Sequence, residues 1–203
     1  ITIASTGNAS DFGDLTVAQH GASGASNATR GVCMGGYTYP SPDASTNVIN
    51  YVTIASKGMA ADFGDCTANH YTAGSSSSTR MISGGGGTPF TNAIQYVEIL
   101  TTGNAQDFGD LSKIWQGIHG CGNIEDRGLM GSGKNGPSNT HTDEIVYITI
   151  STTGNSQDFG DLTQARNGAM SCANGTRCTW GGGAYPNTSQ NTIDYVTMAT
   201  TGN

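Results

Sequence analysis

Apolar and polar positions alternate along this chain in short bursts that come back in nearly the same words. The clearest burst is "YVTIA" (51 to 55), repeated as "YVEIL" (96 to 100), "YITIS" (147 to 151) and "YVTMA" (195 to 199), with a clipped form "ITIA" at 1 to 4. Alternating β-branched and aromatic residues over so few positions predict a strand. A Thr-Gly-Asn turn, written Lys-Gly-Met in the second copy, leads into the run DFGDL or DFGDC, which begins at Asp11, Asp62, Asp107 and Asp158. A small-residue segment follows, such as "HGASGAS" (20 to 26) or "NGAMSCA" (167 to 173), poor enough in bulk to sit only where strands crowd together. The fourth segment starts at an arginine found once per copy (Arg30, Arg80, Arg127, Arg177) and runs into glycines, as in "RMISGGGG" (80 to 87).

The DFGD copies are separated by 51, 45 and 51 residues, and a period of that size points to a stacked or circular array. Four strand-like segments per unit predict an all-β chain, a β-propeller of four-stranded blades with the glycine-rich strand near a central channel. The units run approximately 1–47, 48–93, 94–144 and 145–203, one propeller segment over 1–203. The strand of the YVTI type occurs five times and each other strand four times, so the expectation is a section of a larger propeller. Glycine, at 31 residues, supports tight turns and argues against long helices, where each glycine costs about 1 kcal/mol relative to alanine.

These residues resemble the kelch family of β-propellers. The resemblance rests on the glycine pair closing the second strand (Gly35-Gly36, Gly85-Gly86, Gly182-Gly183) and the tyrosine opening the third (Tyr51, Tyr96, Tyr147, Tyr195). The chain departs from that pattern in two ways: Phe12, Phe63, Phe108 and Phe159 stand where the family carries a fourth-strand tryptophan, and the third copy has Ser132-Gly133 for the glycine pair. The wording around DFGDL also resembles repeat-containing virion structural proteins of tailed bacteriophages, marine ones in particular. That second resemblance implies a virion or extracellular setting.

The net charge of −7 excludes nonspecific nucleic-acid binding, which needs cations aligned on phosphates. Eight of the 15 acidic residues are the aspartates of the four DFGD copies, so the acidity describes the repeat. No 18-residue apolar span predicts membrane insertion. Five cysteines (Cys33, Cys66, Cys121, Cys172, Cys178) with no CxxC spacing read as small core residues, with Cys172 and Cys178 the one pair placed to bridge.

DFG suggests a kinase magnesium aspartate, but the partners that chemistry needs, a catalytic loop among them, are missing from the sequence. The structural reading makes Phe12 and its equivalents core plugs, and makes Asp11, Asp62, Asp107 and Asp158 turn caps or ion-pair partners of Arg30, Arg80, Arg127 and Arg177. A calcium reading would use Asn8, Asp11 and Asp14 as oxygen ligands. "GLMGSGKN" (128 to 135) nearly matches a phosphate-binding loop but ends in Asn135 and falls in the glycine strand. His20, His70, His119 and His141 show no ligand or nucleophile–base spacing. The sequons at Asn27, Asn174 and Asn187 are expected by chance in a chain this rich in Asn and Thr. No motif calls for a cofactor, a metal or a catalytic residue.

Distances inside the unit are nearly constant except in one loop per copy, from the glycine strand to the next tyrosine: "TYPSPDASTN" (38 to 47), "TPFTN" (88 to 92), "KNGPSNTHTDE" (134 to 144) and "YPNTSQN" (185 to 191). A propeller brings such loops to one face, and loops on a rigid scaffold are where function concentrates. Their Tyr, Ser, Asn and Pro content is that of adaptable binding surfaces. The expectation is a non-enzymatic structural or adhesive propeller, a phage virion or tail-fibre component, gripping a host-surface glycan or protein or a neighbouring virion protein through Tyr39, Phe90, His141 and Tyr185. A homo-oligomer is compatible with this. A secreted bacterial carbohydrate-binding lectin and a propeller enzyme are the alternatives.

Overall fold

The computed structural model describes residues 6–39, 44–67, 71–87, 89–122 and 126–200; the clipped strand at 1 to 4 and His70 lie outside them. The fold is all-β, four antiparallel sheets arranged as a propeller of four blades. The first blade holds Ser23–Ser26, Arg30–Met34, Val48–Thr53 and Ala61–Asp65 in that spatial order. The second repeats it with Ala73–Ser76, Arg80–Gly84, Ala93–Glu98 and Gln106–Asp110. The third is built on the long hairpin Arg127–Asn135 and Thr140–Thr149, flanked by His119–Gly122 and Gln157–Asp161. The fourth has three strands: Met170–Ala173, Arg177–Gly181 and Ile193–Thr197. The first three blades draw their two inner strands from one sequence repeat and their two outer strands essentially from the next, whereas the three strands of the fourth all come from the last repeat.

The innermost strand is the small-residue one, and the glycine-rich strand lies second, one place further out than expected. Inner strands of successive blades touch directly. A Cβ added to Gly74 would stand 2.7 Å from the Gly24 carbonyl oxygen, and one on Gly120 2.8 Å from that of Gly74. Larger residues there would push the blades apart, which explains a segment made of Gly, Ala and Ser.

Each seam between neighbouring blades carries its own apolar core. Val32, Met34, Ile49 and Phe63 of the first blade meet Met81, Val97 and Ile99 of the second. Ile82, Ile94 and Phe108 of the second meet Met130, Ile148 and Ile150 of the third. Leu129, Ile145 and Phe159 of the third meet Cys178, Trp180 and Met198 of the fourth. The plugs Phe63, Phe108 and Phe159 sit at a β-bulge in the outer pairing, which lets the phenylalanine turn inward while the aspartates on either side face water. Phe12 is different. It is 37% exposed, because residues 11–14 pair with no sheet among the described residues.

The repeated wording turns out to be a staple between blades. The Gly103 N–H donates to the Phe63 carbonyl oxygen at 2.8 Å and the Ala105 N–H to that of Asp65 at 2.8 Å. The same two bonds recur from Gly154 to Phe108 and Ser156 to Asp110, and from Gly58 to Phe12 and Ala60 to Asp14. Asn104 and Asn155 close the staple by accepting the Asp65 and Asp110 N–H groups, each at 3.0 Å. The close approach needs glycine: Gly109 lies at φ +146°, and a Cβ there would fall 2.4 Å from the Gly154 carbonyl oxygen. So the Thr-Gly-Asn turn of one copy is written to fit the DFGD of the copy before it.

No arginine–aspartate ladder forms. The four first aspartates are exposed, and each repeat arginine stacks on the tyrosine of its own blade, with centroid distances of 4.4, 4.6, 4.7 and 4.8 Å for Arg30–Tyr51, Arg80–Tyr96, Arg127–Tyr147 and Arg177–Tyr195. From there Arg30, Arg80 and Arg127 donate across the seam to the carbonyl oxygens of Ile99, Ile150 and Met198 at 3.0, 3.2 and 2.7 Å. A delocalised, weakly hydrated guanidinium suits this double task better than an ion pair with a solvated carboxylate would. Arg80 adds an ion pair with Glu98 at 2.6 Å.

The cysteine expectation is corrected. Cys121 and Cys178 form a disulfide joining the third and fourth blades, with Cα atoms 6.5 Å apart. Cys172 lies opposite Thr179 in the strand register, so its side chain emerges on the sheet face away from Cys178 and stays exposed as a free thiol. Strand alternation decides which cysteine faces the neighbouring blade.

Candidate functional site

Every blade runs in the same antiparallel order, so the loops between second and third strands all emerge at one end. The connectors that enter each inner strand arrive at that end too. Backbone bonds tie the two together: His20 and Tyr37 exchange hydrogen bonds of 2.8 and 3.0 Å, and Asn167 and Ala184 exchange bonds of 2.9 and 3.2 Å. The variable loops therefore rise directly from the rim of the central channel.

That rim is a ring of four equivalent turns. Gly21, Tyr71, Gly117 and Gly168 occupy one repeat position and share φ values of 65°, 56°, 60° and 69°. They are linked blade to blade, the Tyr71 N–H donating to Gly21 at 2.8 Å, Gly117 to Tyr71 at 3.2 Å and Gly168 to Gly117 at 3.1 Å. A left-handed backbone suits glycine and strains a tyrosine by about 1 to 2 kcal/mol. The second blade nonetheless places a tyrosine there, and strain of this kind collects at functional sites.

Tyr71 opens onto a cavity of about 470 Å³ whose lining includes Gln116, His119, Lys134 and Asn167. Its ring meets His20 edge to face at 6.4 Å, and His20 meets Tyr37 at 5.6 Å. Burial lowers the His119 pKa, so its imidazole is neutral at neutral pH and can both donate and accept. The lining residues bring one aromatic face, that of Tyr71, two amides, an ammonium and a neutral imidazole, with no carboxylate among them.

The four residues expected to bind are distributed around this rim. His141 and Tyr185, from neighbouring blades, stack edge to face at 5.1 Å, and the His141 Nε2 lies 3.0 Å from the Asn167 Oδ1, which joins the pair to the cavity wall. Phe90 lies over Gly136 of the next blade's loop and is half exposed. Tyr39 is 72% exposed on the first blade. Sequence reasoning missed Tyr71, although the signal was present as one tyrosine against three glycines at the same place before the repeat arginine.

No family model and no curated protein matches the chain. Among the described residues, no three His, Cys, Asp or Glu side chains group as a metal site. Asn104 and Asn155, whose copies suggested calcium ligands, are engaged across the seam by backbone amides. The near match to a phosphate loop lies inside the strand Arg127–Asn135, with no helix after it. Burial raises the Cys33 thiol and takes Cys66 to about 11, so neither supplies a thiolate at neutral pH.

Proposed function

We propose that this chain is a non-enzymatic structural and adhesive propeller of kelch-like blades, a part of a virion or tail fibre whose loop face grips a host-surface polysaccharide. The observation that carries the reading is Tyr71, held in a strained backbone at the channel mouth where the other three blades have glycine. Neutral hydrogen-bonding groups beside aromatic faces suit sugars, whose hydroxyls take amides and imidazole while their C–H faces lie on rings. Tyr39, Phe90, His141 and Tyr185 extend that surface with aromatic groups that need little ordering on binding. A disulfide between blades fits an oxidising, extracellular or virion setting.

Substituting Tyr39, Phe90, His141 and Tyr185 together by alanine abolishes retention on an array of immobilised bacterial surface polysaccharides. Three of the four lie in surface loops and His141 sits at the half-exposed start of the strand Thr140–Thr149, so the melting temperature stays close to that of the parent. Full retention by a folded quadruple variant would remove this face from the proposal.

A further inference from the structure

Most cations of this chain already have a structural task. Arg80, Lys113 and Arg166 hold Glu98, Glu144 and Asp194 in ion pairs, and Arg30, Arg127 and Arg177 lie over the tyrosines of their own blades. Lys57 is exposed at the edge of the propeller, beside the second DFGD run. Lys134 differs from all of them. It is half-buried, it lines the cavity at the channel mouth, and among the described residues it makes no ion pair.

The strand register fixes what surrounds it. Lys134 stands directly opposite Gln116 on one side and His141 on the other, and residues so opposed share a sheet face with Cβ atoms about 5 Å apart. The fourth blade adds Asn167, whose Oδ1 lies 3.0 Å from the His141 Nε2. That contact leaves the amide nitrogen of Asn167 for the rim, where a Cβ on Gly117 would stand 3.6 Å from it. An ammonium, the NH2 groups of two amides and the Tyr71 ring therefore border one cavity, and no carboxylate lines it.

A partly desolvated ammonium with no counter-charge is costly, and a ligand that brings an anion removes that cost. Hydrogen bonds to an ionised acceptor are also roughly twice as strong as those between neutral groups. Resting on the polysaccharide reading above, we propose that the channel-mouth cavity selects an acidic sugar, a hexuronate. Its carboxylate pairs with the Lys134 ammonium and takes a second bond from the Gln116 or Asn167 amide, while the sugar ring lies against Tyr71. A carboxylate carries the single charge that one lysine balances, whereas a phosphate ester, with a charge of about −1.5 to −2, would be left undercompensated. The cavity, at about 470 Å³, has the size of a small-molecule site.

The test compares binding of the 203-residue chain to immobilised polygalacturonate and alginate, to the methyl esters of both, to dextran sulfate and to neutral dextran. Methyl esterification removes the charge and keeps the sugar backbone. The expected result is that one of the two uronates is held at least about tenfold more tightly than its ester, the worth of one charge-assisted hydrogen bond. Lys134→Met binds acid and ester alike, at the level of the ester, and Lys134→Arg keeps the preference for the acid. Equal binding of acid and ester by the parent, a preference that survives in Lys134→Met, or tighter binding to dextran sulfate than to either uronate would overturn the inference. In those cases the polysaccharide reading still stands if the parent holds any of the polymers and the quadruple loop variant does not. A parent chain that binds none of these polymers, nor any member of the bacterial polysaccharide array, overturns both.

Discussion

Arg166→Met lowers the melting temperature by roughly 6 to 20 °C, the largest effect expected of any single side chain here. Arg166 is fully buried. Its Nη1 lies 2.7 Å from the Asp194 Oδ2, while weaker bonds run to the Gln164 and Trp180 carbonyl oxygens at 3.3 Å. Removing the guanidinium leaves Asp194 charged in a closed site, with the Thr163 hydroxyl donating to its other oxygen at 2.6 Å. Breaking one side of a buried pair costs about 3 to 5 kcal/mol, whereas replacing both partners with apolar residues is close to neutral. Thermal melts of Arg166→Met, Asp194→Leu and the double variant check this: both single variants fall steeply and the double variant recovers most of the loss. A double variant as unstable as the sum of the two would show that the pair is not the reason.

The disulfide is the second large term. Cys121 and Cys178 are separated by 57 residues, and closing a loop of that length in the unfolded chain is worth about 4 kcal/mol. Cys121→Ala with Cys178→Ala therefore melts roughly 8 to 16 °C below the parent. Reductant brings the parent down to the temperature of the variant and leaves the variant where it was. Equal melting temperatures without reductant would mean that the third and fourth blades do not depend on the bridge.

These two predictions rest on features that the sequence did not reveal, and for the same physical reason. What repeats was legible. The alternation in "YVTIA", the DFGD spacing and the glycine-rich strand gave the class, the blade and the end of the molecule where loop length varies. What does not repeat depends on which face of a strand a residue occupies, and on which blade lies next to it. Cys178 was considered with Cys172 because they are near in sequence, but adjacent positions in a sheet alternate in direction, and the partner across the seam was Cys121. Arg166 falls outside the four repeat arginines, and the third blade meets the corresponding need differently, with Ser112 and Lys113 both on Glu144. Corresponding sites in the first two blades use Thr16 with Asn50 and Thr67 with Gln95.

The repeat arginines show the intermediate case. Their recurrence once per blade announced a structural partner, and the aspartates were the obvious choice by charge. The tyrosine was the true partner, hidden because the variable loop changes the distance between arginine and tyrosine from blade to blade. In the binding face, His141 and Tyr185 are brought together from separate loops, and Tyr71 is added from a connector whose register only the ring of left-handed turns makes plain.

That ring gives the most direct test of the account. In Tyr71→Gly the strain of about 1 to 2 kcal/mol is released, which offsets the removal of the ring from its place against His20 and Gly21, so the melting temperature stays within about 3 °C of the parent. Retention on the polysaccharide array falls with no loss of fold. If instead the variant binds as the parent does, Tyr71 is a tolerated irregularity of the rim and the channel mouth is not where this propeller holds its ligand.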